Sequence, residues 1–281
     1  MISTHVNINV PRGIIWDANN WSCSYDSIFT ILYNLWLQNK VLWTSTISAL
    51  SLYLELYVMQ LDAVEAGRIS LEVARDTVKS TLHNVDTTNF PNGPNTVNID
   101  KLLESLFNNK QIYGISKTQC TYCKFSKALP KGGFYPNPNC IPLDWAFNNL
   151  LNSVRTALCP KCKKNGQNHQ LKKITTVSKA PSIMAFSILS KKLVPSQSHS
   201  LLVNGDLKVY KLNGLIYGGD NHFTCRYIDQ QGVVWYHNGI ITKSVCTEDG
   251  LIHGIDGLKQ LKTAHGKQLV ACIYSCMNIE D

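Results

Sequence analysis

The stretch NNWSCSYDSIFTILYNLW, residues 19–36, places a cysteine one position after a serine and directly ahead of an apolar stripe. Ile28, Ile31, Leu32, Leu35 and Trp36 recur at the three-and-four spacing of a buried helix face. Ser22, with Asp26 just inside, supplies a helix start. Cys23 then falls where unpaired backbone N–H groups and the positive end of the helix dipole favour a thiolate. Position alone leaves two readings open, a nucleophile or a small buried hydrophobe.

The chain around this stretch has 281 residues, enough for one large domain or two small ones with a sizeable core. Its formal charge of +8 is spread thinly, with KCKK, LKK and SKK as the only clusters. Without a long basic run or a basic helix, this is expected to be a solvated surface, not a nucleic-acid footprint. The opening MISTHVNINVPRG has no apolar core of the kind a secretory signal carries. VLWTSTISALSLYLELYVMQL (41–61) is the nearest thing to a membrane span. It contains Glu55 and several Ser and Thr residues, so a buried helix is expected there and no membrane partner. Ten cysteines without a signal point to a reducing compartment, nucleus or cytoplasm, where cysteines bind metal or do chemistry more often than they form disulfides.

The first half reads helical beyond the opening helix, with periodic stretches near 45–63, 70–84 and 99–109. NFPNGPN (89–95) reads as a loop. The middle, roughly 117–176, carries two cysteine pairs and the helical-looking DWAFNNLLNSVRTAL. The last hundred residues read as short strands: SIMAFSIL, HSLLV, LKVYKL, GLIYGG, HFTCRYI, VVWYH and KQLVACIYSC. Helices first and strands last, with a cysteine-rich insert between them, describe an α+β fold.

Cys120 with Cys123 (CTYC) and Cys159 with Cys162 (CPKC) form two C-x-x-C knuckles. Each puts two thiolates on one tight turn, and two such turns facing each other complete a tetrahedral zinc site. Four thiolates leave no open position, so the zinc is expected to be structural. Of the remaining cysteines, Cys272 and Cys276 read as packing in the last strand. Cys140 lies in a proline-rich loop, and Cys246 has no helix start or histidine beside it. Cys225 points to the strand face opposite His222. Cys23 is left as the best nucleophile candidate on helix position.

A thiol nucleophile needs a base, and the base an orienting group. In HFTCRYIDQQGVVWYHNG, Asp229 and Gly232 bracket Gln230 and Gln231 as in a type I turn, with Gly232 at the left-handed position of a bulged hairpin. That register pairs Asp229 with Val233 and makes His222 and Asn238 diagonal neighbours on one face. An imidazole there can reach a side-chain amide.

A cysteine at a helix start, two zinc knuckles, then His and Asn on a late hairpin resemble, in that order, the ubiquitin-specific proteases. NNWSCSYDSIFTILYNLW is similar to their cysteine box, and NHFTCRYIDQQGVVWYHN to their histidine box. PSIMAFSIL and QLVACIYSC resemble the strands that follow the zinc fingers and close the family's fold. C-x-x-D from Cys23 to Asp26, with Trp16 seven residues upstream, looks closer to the ubiquitin-specific-protease-like SUMO isopeptidases and to related domains of fungal mobile-element proteins. The chain departs from the family in three places. Ala18 stands where an Asn usually precedes the cysteine, with Asn19 and Asn20 displaced. Asn221 replaces the glycine before the histidine. One residue fewer separates Trp-Tyr from the orienting residue, which makes Asn238 the natural choice and Asp229 a weaker one.

The resemblance implies a papain-like thiol peptidase of thumb, palm and fingers architecture. Residues 1–116 would form a helical thumb, 117–176 zinc-binding fingers and 177–281 a β-rich palm, within a single catalytic domain. It implies a deubiquitinase or a SUMO-specific isopeptidase that cleaves after a C-terminal Gly-Gly. Cys23 would be the nucleophile, His222 the base and Asn238 its orienter. The Cys23 N–H and the amide of Asn19 or Asn20 would stabilise the oxyanion, and Cys120, Cys123, Cys159 and Cys162 would hold zinc. Gly218 and Gly219 either line a narrow channel for the Gly-Gly end or form an ordinary turn. Ubiquitin or SUMO and their conjugates are the expected partners. Two rivals compete with this reading. One is a catalytically weak ubiquitin- or SUMO-binding scaffold, favoured by the altered oxyanion loop. The other is a zinc-ribbon nucleic-acid module, which leaves the histidine box unexplained and lacks aromatic residues interleaved with a basic stripe.

Overall fold

A computed structural model describes residues 10–108, 113–136, 154–188, 193–252 and 258–276. The helix expected from the opening stretch is α1, Cys23–Gln38, and every residue from Cys23 to Trp36 is buried. It is more than an amphipathic surface helix. Other helices pack on one side of it and a sheet on the other, so its polar residues face protein as well.

Four further helices follow, each started by a side chain that accepts a backbone N–H left open by the first turn. Asn39 caps α2 (Lys40–Ser48), Ser51 caps α3 (Leu52–Glu65), Ser70 caps α4 (Leu71–Val85) and Asn98 caps α5 (Ile99–Phe107). The single helical stretch expected near 45–63 is therefore two helices. The chain breaks at Ala49–Ser51, where the Ser51 hydroxyl takes the Leu54 N–H at 3.2 Å and begins a new helix. Among the described residues, no helix is long and apolar enough to cross a membrane.

Thirteen strands complete the described fold. Strands β1 (Gly114–Gln119), β2 (Ser126–Lys131), β4 (Val154–Leu158) and β5 (Gln170–Val177) form an antiparallel sheet of order β2-β1-β5-β4. A short helix, α6 (Pro160–Lys164), joins the last two. In the helical-looking insert, 154–158 is strand β4 and 144–153 lies outside the described residues, as does Cys140. Arg155, Ala157 and Leu158 are good helix formers and only Val154 and Thr156 weak ones, so pairing with β5, not local propensity, makes this segment a strand.

A nine-stranded sheet holds β3 (Phe134–Pro136), β6 (Ile183–Ser187), β7 (Ser198–Val203), β8 (Asp206–Gly219), β9 (His222–Ile228), β10 (Val233–His237), β11 (Thr247–Leu251), β12 (Thr263–Ala264) and β13 (Lys267–Cys276). Its main order is β11-β10-β9-β8-β13-β6-β3, antiparallel except for the β3–β6 pair. The two strands expected at LKVYKL and GLIYGG are one, β8. Asn213 between them is a bulge: Tyr274 pairs with Leu212 and Ile273 with Gly214, and Asn213 accepts the Ser275 hydroxyl at 2.5 Å.

One face of this sheet, through Ile216, Cys225, Tyr227, Trp235 and Ile273, shares a core with the helices. The other face has its own core around Met184, Phe186, Tyr217, Tyr236 and Tyr274. Helix α1 lies so close to β8 that a Cβ on Gly214 would stand 2.6 Å from the Ile31 side chain. That contact fixes the height of α1 over the sheet and, with it, the position of Cys23.

Candidate active site

Ser22 does not cap α1. Its φ and ψ of −73° and −3° are already helical, and its hydroxyl makes no capping bond. The hydroxyl instead accepts the Asp17 N–H at 2.8 Å and donates to the Asp26 carboxylate at 2.7 Å. Trp21, at φ 41°, turns the chain through the left-handed region just before Cys23, a conformation that bulky residues adopt only where their surroundings hold them. Asn20 is pinned at both ends of its amide. Its Oδ1 accepts the Gly93 N–H at 3.1 Å and its Nδ2 donates to Asp17 at 2.8 Å, which leaves one Nδ2 hydrogen unused. Asn19 is exposed, and its backbone N–H binds Asp17 at 2.9 Å.

His222 opens β9 directly after a two-residue turn. Asp220 and Asn221 have φ of 53° and 54°, and Gly219 pairs with His222 across them. This is the primed turn that matches strand twist, and it demands positive φ at both central positions. Asn is the side chain that tolerates this best after glycine, which explains why Asn221 can stand before the histidine.

The second hairpin has the expected register. Gly232 sits at φ 82°, and the Asp229 N–H donates to the Val233 carbonyl at 3.1 Å. Cys225 faces His237, so Asn238 lies diagonally across from His222. The two side chains meet with Nε2 of His222 3.0 Å from Oδ1 of Asn238. The same oxygen accepts the Ile240 N–H at 3.1 Å, which settles the amide's orientation and makes His222 Nε2 the donor. Nδ1 is then the basic nitrogen. The Trp16 ring stands edge-on to the imidazole, with centroids 6.1 Å apart at 82°. Asp229 lies at the other end of the hairpin, about 20 Å along the strand. Its carboxylate is taken by the Gln231 and Val233 N–H groups and the Trp235 indole.

Cys23 is 3% exposed. Burial pushes its thiol up to about 11, and the nearby Asp26 carboxylate adds to the rise. The backbone N–H groups of Phe223, Ser24 and Cys23 act in the other direction. The sequence expectation of a thiolate favoured by the helix start is therefore outweighed by desolvation. His222 sits below its ordinary value, first because it is buried and further because Lys267 is close, although the Asn238 bond supports its charged form. Both shifts favour the uncharged forms, a thiol on Cys23 and a neutral imidazole on His222. Among the described residues no hydrogen bond joins them. The Phe223 backbone N–H, beside His222, acts on the Cys23 sulfur and brings the start of β9 to the start of α1.

A cleft of about 440 Å³ is walled by Val97, Asp100, Ile188, Val270 and Phe223, the residue that follows His222. Gly218 stands behind its wall. A Cβ there would meet Phe223 at 3.0 Å and Val270 at 3.2 Å, so the glycine lets both side chains settle against the sheet.

Two residues outside the expected set shape the site. Arg75 of α4 is 2% exposed and binds Asp26 at 2.7 Å. Its signal in the sequence is a charged residue within the apolar stripe Leu71, Ala74, Val78 and Leu82. His237, on the strand face opposite Asn238, meets the Ile14 backbone through Nε2 and the Thr242 hydroxyl at 2.9 Å through Nδ1. A Cβ on Gly13 would fall 2.3 Å from its ring, so glycine is what lets the segment leading to Cys23 lie against β10.

The four knuckle cysteines converge, with all ligand atoms within 4.8 Å of one another. Cys120 and Cys162 sulfurs are 3.8 Å apart, and those of Cys123 and Cys159 3.6 Å. Sulfurs at the corners of a zinc tetrahedron, each about 2.3 Å from the metal, stand about 3.8 Å apart. Backbone N–H groups of Cys123 and Tyr122 favour the thiolate of Cys120. Lys124 at φ 54° closes that knuckle, and Cys159 precedes the first turn of α6. The donor set and its edges fit a closed zinc site that could tie β1 and β2 to β4 and β5.

No family model matches the sequence, and no curated protein matches it. Among solved structures, the fold is similar to a chain of the SAGA Ubp8/Sgf11/Sus1/Sgf73 DUB module bound to ubiquitin aldehyde. The TM-score is 0.51 at 14% identity, over 96% of this chain and 70% of that one. At this identity the likeness is one of fold, a shared arrangement of helices and sheet with that chain.

Proposed function

We propose that this protein is a thiol isopeptidase that cleaves after the C-terminal Gly-Gly of ubiquitin. The observation that carries the reading is the His222–Asn238 pair, held 3.0 Å apart beside the strand residue whose backbone acts on Cys23. The similar DUB module, bound to ubiquitin aldehyde, supports ubiquitin as the modifier.

In this reading Nδ1 of His222 takes the Cys23 proton as the sulfur attacks the glycine carbonyl. The thiol is raised and the imidazole lowered at rest, so proton transfer accompanies attack and does not precede it. Asn238 holds the tautomer that leaves Nδ1 free. The Cys23 N–H and the unused Nδ2 hydrogen of Asn20, or the amide of Asn19, receive the developing oxyanion. The imidazolium then protonates the departing amine, and water activated by the neutral imidazole cleaves the thioester. The cleft beside Phe223 and Val270 takes the extended Gly-Gly end. In the thumb, palm and fingers division, 1–116, 177–281 and 117–176 respectively, zinc on Cys120, Cys123, Cys159 and Cys162 holds the fingers rigid and does no chemistry. A reducing compartment, nucleus or cytoplasm, suits free thiols in both sites.

A second reading, a ubiquitin- or SUMO-binding scaffold, is favoured by the raised Cys23 thiol and the missing hydrogen bond to His222. The C-x-x-D pattern around Cys23 favours SUMO. Ubiquitin and SUMO probes with a C-terminal electrophile separate the three. Capture of ubiquitin through Cys23 supports the isopeptidase proposed here, capture of SUMO alone moves the specificity, and binding without capture supports the scaffold.

A further inference from the structure

Beneath the turn that carries Cys23 lies a buried ion pair with no part in the chemistry above. Nη1 of Arg75 donates to Asp26 at 2.7 Å, to the Ile15 carbonyl at 2.9 Å and to the Ser22 hydroxyl at 3.2 Å. Nε of Arg75 binds Asp76 at 2.8 Å. Ser22 passes the connection on, since its oxygen also accepts the Asp17 N–H at 2.8 Å. The Asp17 carboxylate in turn receives the Asn19 N–H and the Asn20 amide. One guanidinium thus ties together the segment before the nucleophile, the residue immediately before it and the residue three after it.

Stability alone does not account for this arrangement. Two apolar side chains of similar volume would hold α4 against α1 as well or better than a buried ion pair does. Apolar packing would not, however, fix the direction of the Ser22 hydroxyl or of the Asn20 amide. We propose that Arg75 is a positioning residue for Cys23: through Asp26, Ser22 and Asp17 its guanidinium sets the turn that presents the thiol and the amide donor beside it. The kinetic part of this inference rests on the isopeptidase reading; the thiol-reactivity part does not.

The charged and titratable groups facing this network come from each neighbouring element. Helix α4 supplies Glu72, Arg75, Asp76 and Lys79, α3 supplies Tyr57, the loop before α1 supplies Asp17, and β9 supplies Cys225. Burial pushes the Asp26 carboxyl up to about 7 against the pull of Arg75, and above that pH its charge opposes a thiolate on Cys23. Lysine at 75 would keep the charge beside Asp26. Without the planar fork it could not also hold the Ile15 carbonyl and Ser22.

The test uses the full chain with Arg75→Lys and Asp26→Asn. Three quantities are measured: the rate of Cys23 alkylation by iodoacetamide between pH 7 and pH 10, cleavage of a ubiquitin C-terminal coumarin amide, and the melting temperature. For Arg75→Lys we expect unchanged alkylation and KM with kcat lower by about tenfold, the size of a small misplacement of reacting groups. For Asp26→Asn we expect alkylation to rise severalfold at pH 8 as the thiolate fraction of Cys23 grows. Wild-type kcat in folded Arg75→Lys, or an unmoved alkylation profile in Asp26→Asn, would overturn the proposal. If Arg75→Lys does not fold, the Asp26→Asn profile decides alone. If the wild-type protein leaves the coumarin amide uncut, the isopeptidase reading fails by itself, and the alkylation profile still judges the network.

Discussion

Nε2 of His222 donates to Oδ1 of Asn238 across 3.0 Å, from one end of β9 to the residue that follows β10. The bond spans a diagonal of the hairpin, so the type I turn at Asp229–Gly232, about 20 Å away, sets its length. A one-residue slip in that turn would send Asn238 to the other face of the sheet.

The bond has a consequence for pH. A base must be neutral to act, so activity rises with pH through the His222 pKa, which burial holds below the ordinary 6.5. We expect the acid limb of kcat/KM below that value. Asn238 favours the charged imidazole. Its replacement by Ala should move the limb further down and lower activity by about ten- to a hundredfold, while Asp should move it up. His222→Ala should abolish turnover. A limb in Asn238→Ala that lies above the wild-type value contradicts the assignment.

Asn20 and Asn19 separate on their surroundings. The Asn20 amide is held by Gly93 and Asp17, whereas Asn19 is exposed. A donor held in advance acts on the transition state, so Asn20→Ala should lower kcat by about 10²–10³ with little change in KM. Asn19→Ala should change neither by more than twofold or so. The reverse order in steady-state cleavage would transfer the role to Asn19.

The four-cysteine cluster should bind one zinc per chain, measured by elemental analysis of protein purified without chelator. Removing the metal should loosen the β1, β2, β4 and β5 sheet, seen as faster amide exchange there. It should raise KM more than it lowers kcat, because a closed thiolate site has no position for substrate. A metal-free protein with the same exchange pattern contradicts a structural role.

The legible parts of the fold were those with a local cause. The α1 stripe, the strands HFTCRYI, VVWYH and KQLVACIYSC, and the 229–232 turn follow from periodicity and turn chemistry within a few residues. Diagonal register then located His222 against Asn238. The illegible parts depend on partners far along the chain. VRTAL is a strand because β5 lies beside it, and Asn213 is a bulge because Ser275 meets it. Ser22 looks like a cap by type and neighbours, but Arg75, 53 residues on, redirects its hydroxyl. The Cys23 thiol departs from its local signal for a related reason. A helix start favours a thiolate locally, but the burial that outweighs it comes from packing against the strand that begins at His222.

The central claim is that Cys23 acts as a nucleophile toward the C-terminal glycine of ubiquitin. The most direct measurement is incubation of the protein with ubiquitin carrying a C-terminal electrophile, beside the SUMO equivalent at the same concentration, followed by mapping of the modified residue. The account predicts a covalent ubiquitin adduct on Cys23, absent from Cys23→Ala and from His222→Ala, with little SUMO adduct. An adduct that persists in folded Cys23→Ala, or no adduct with either probe, would contradict it.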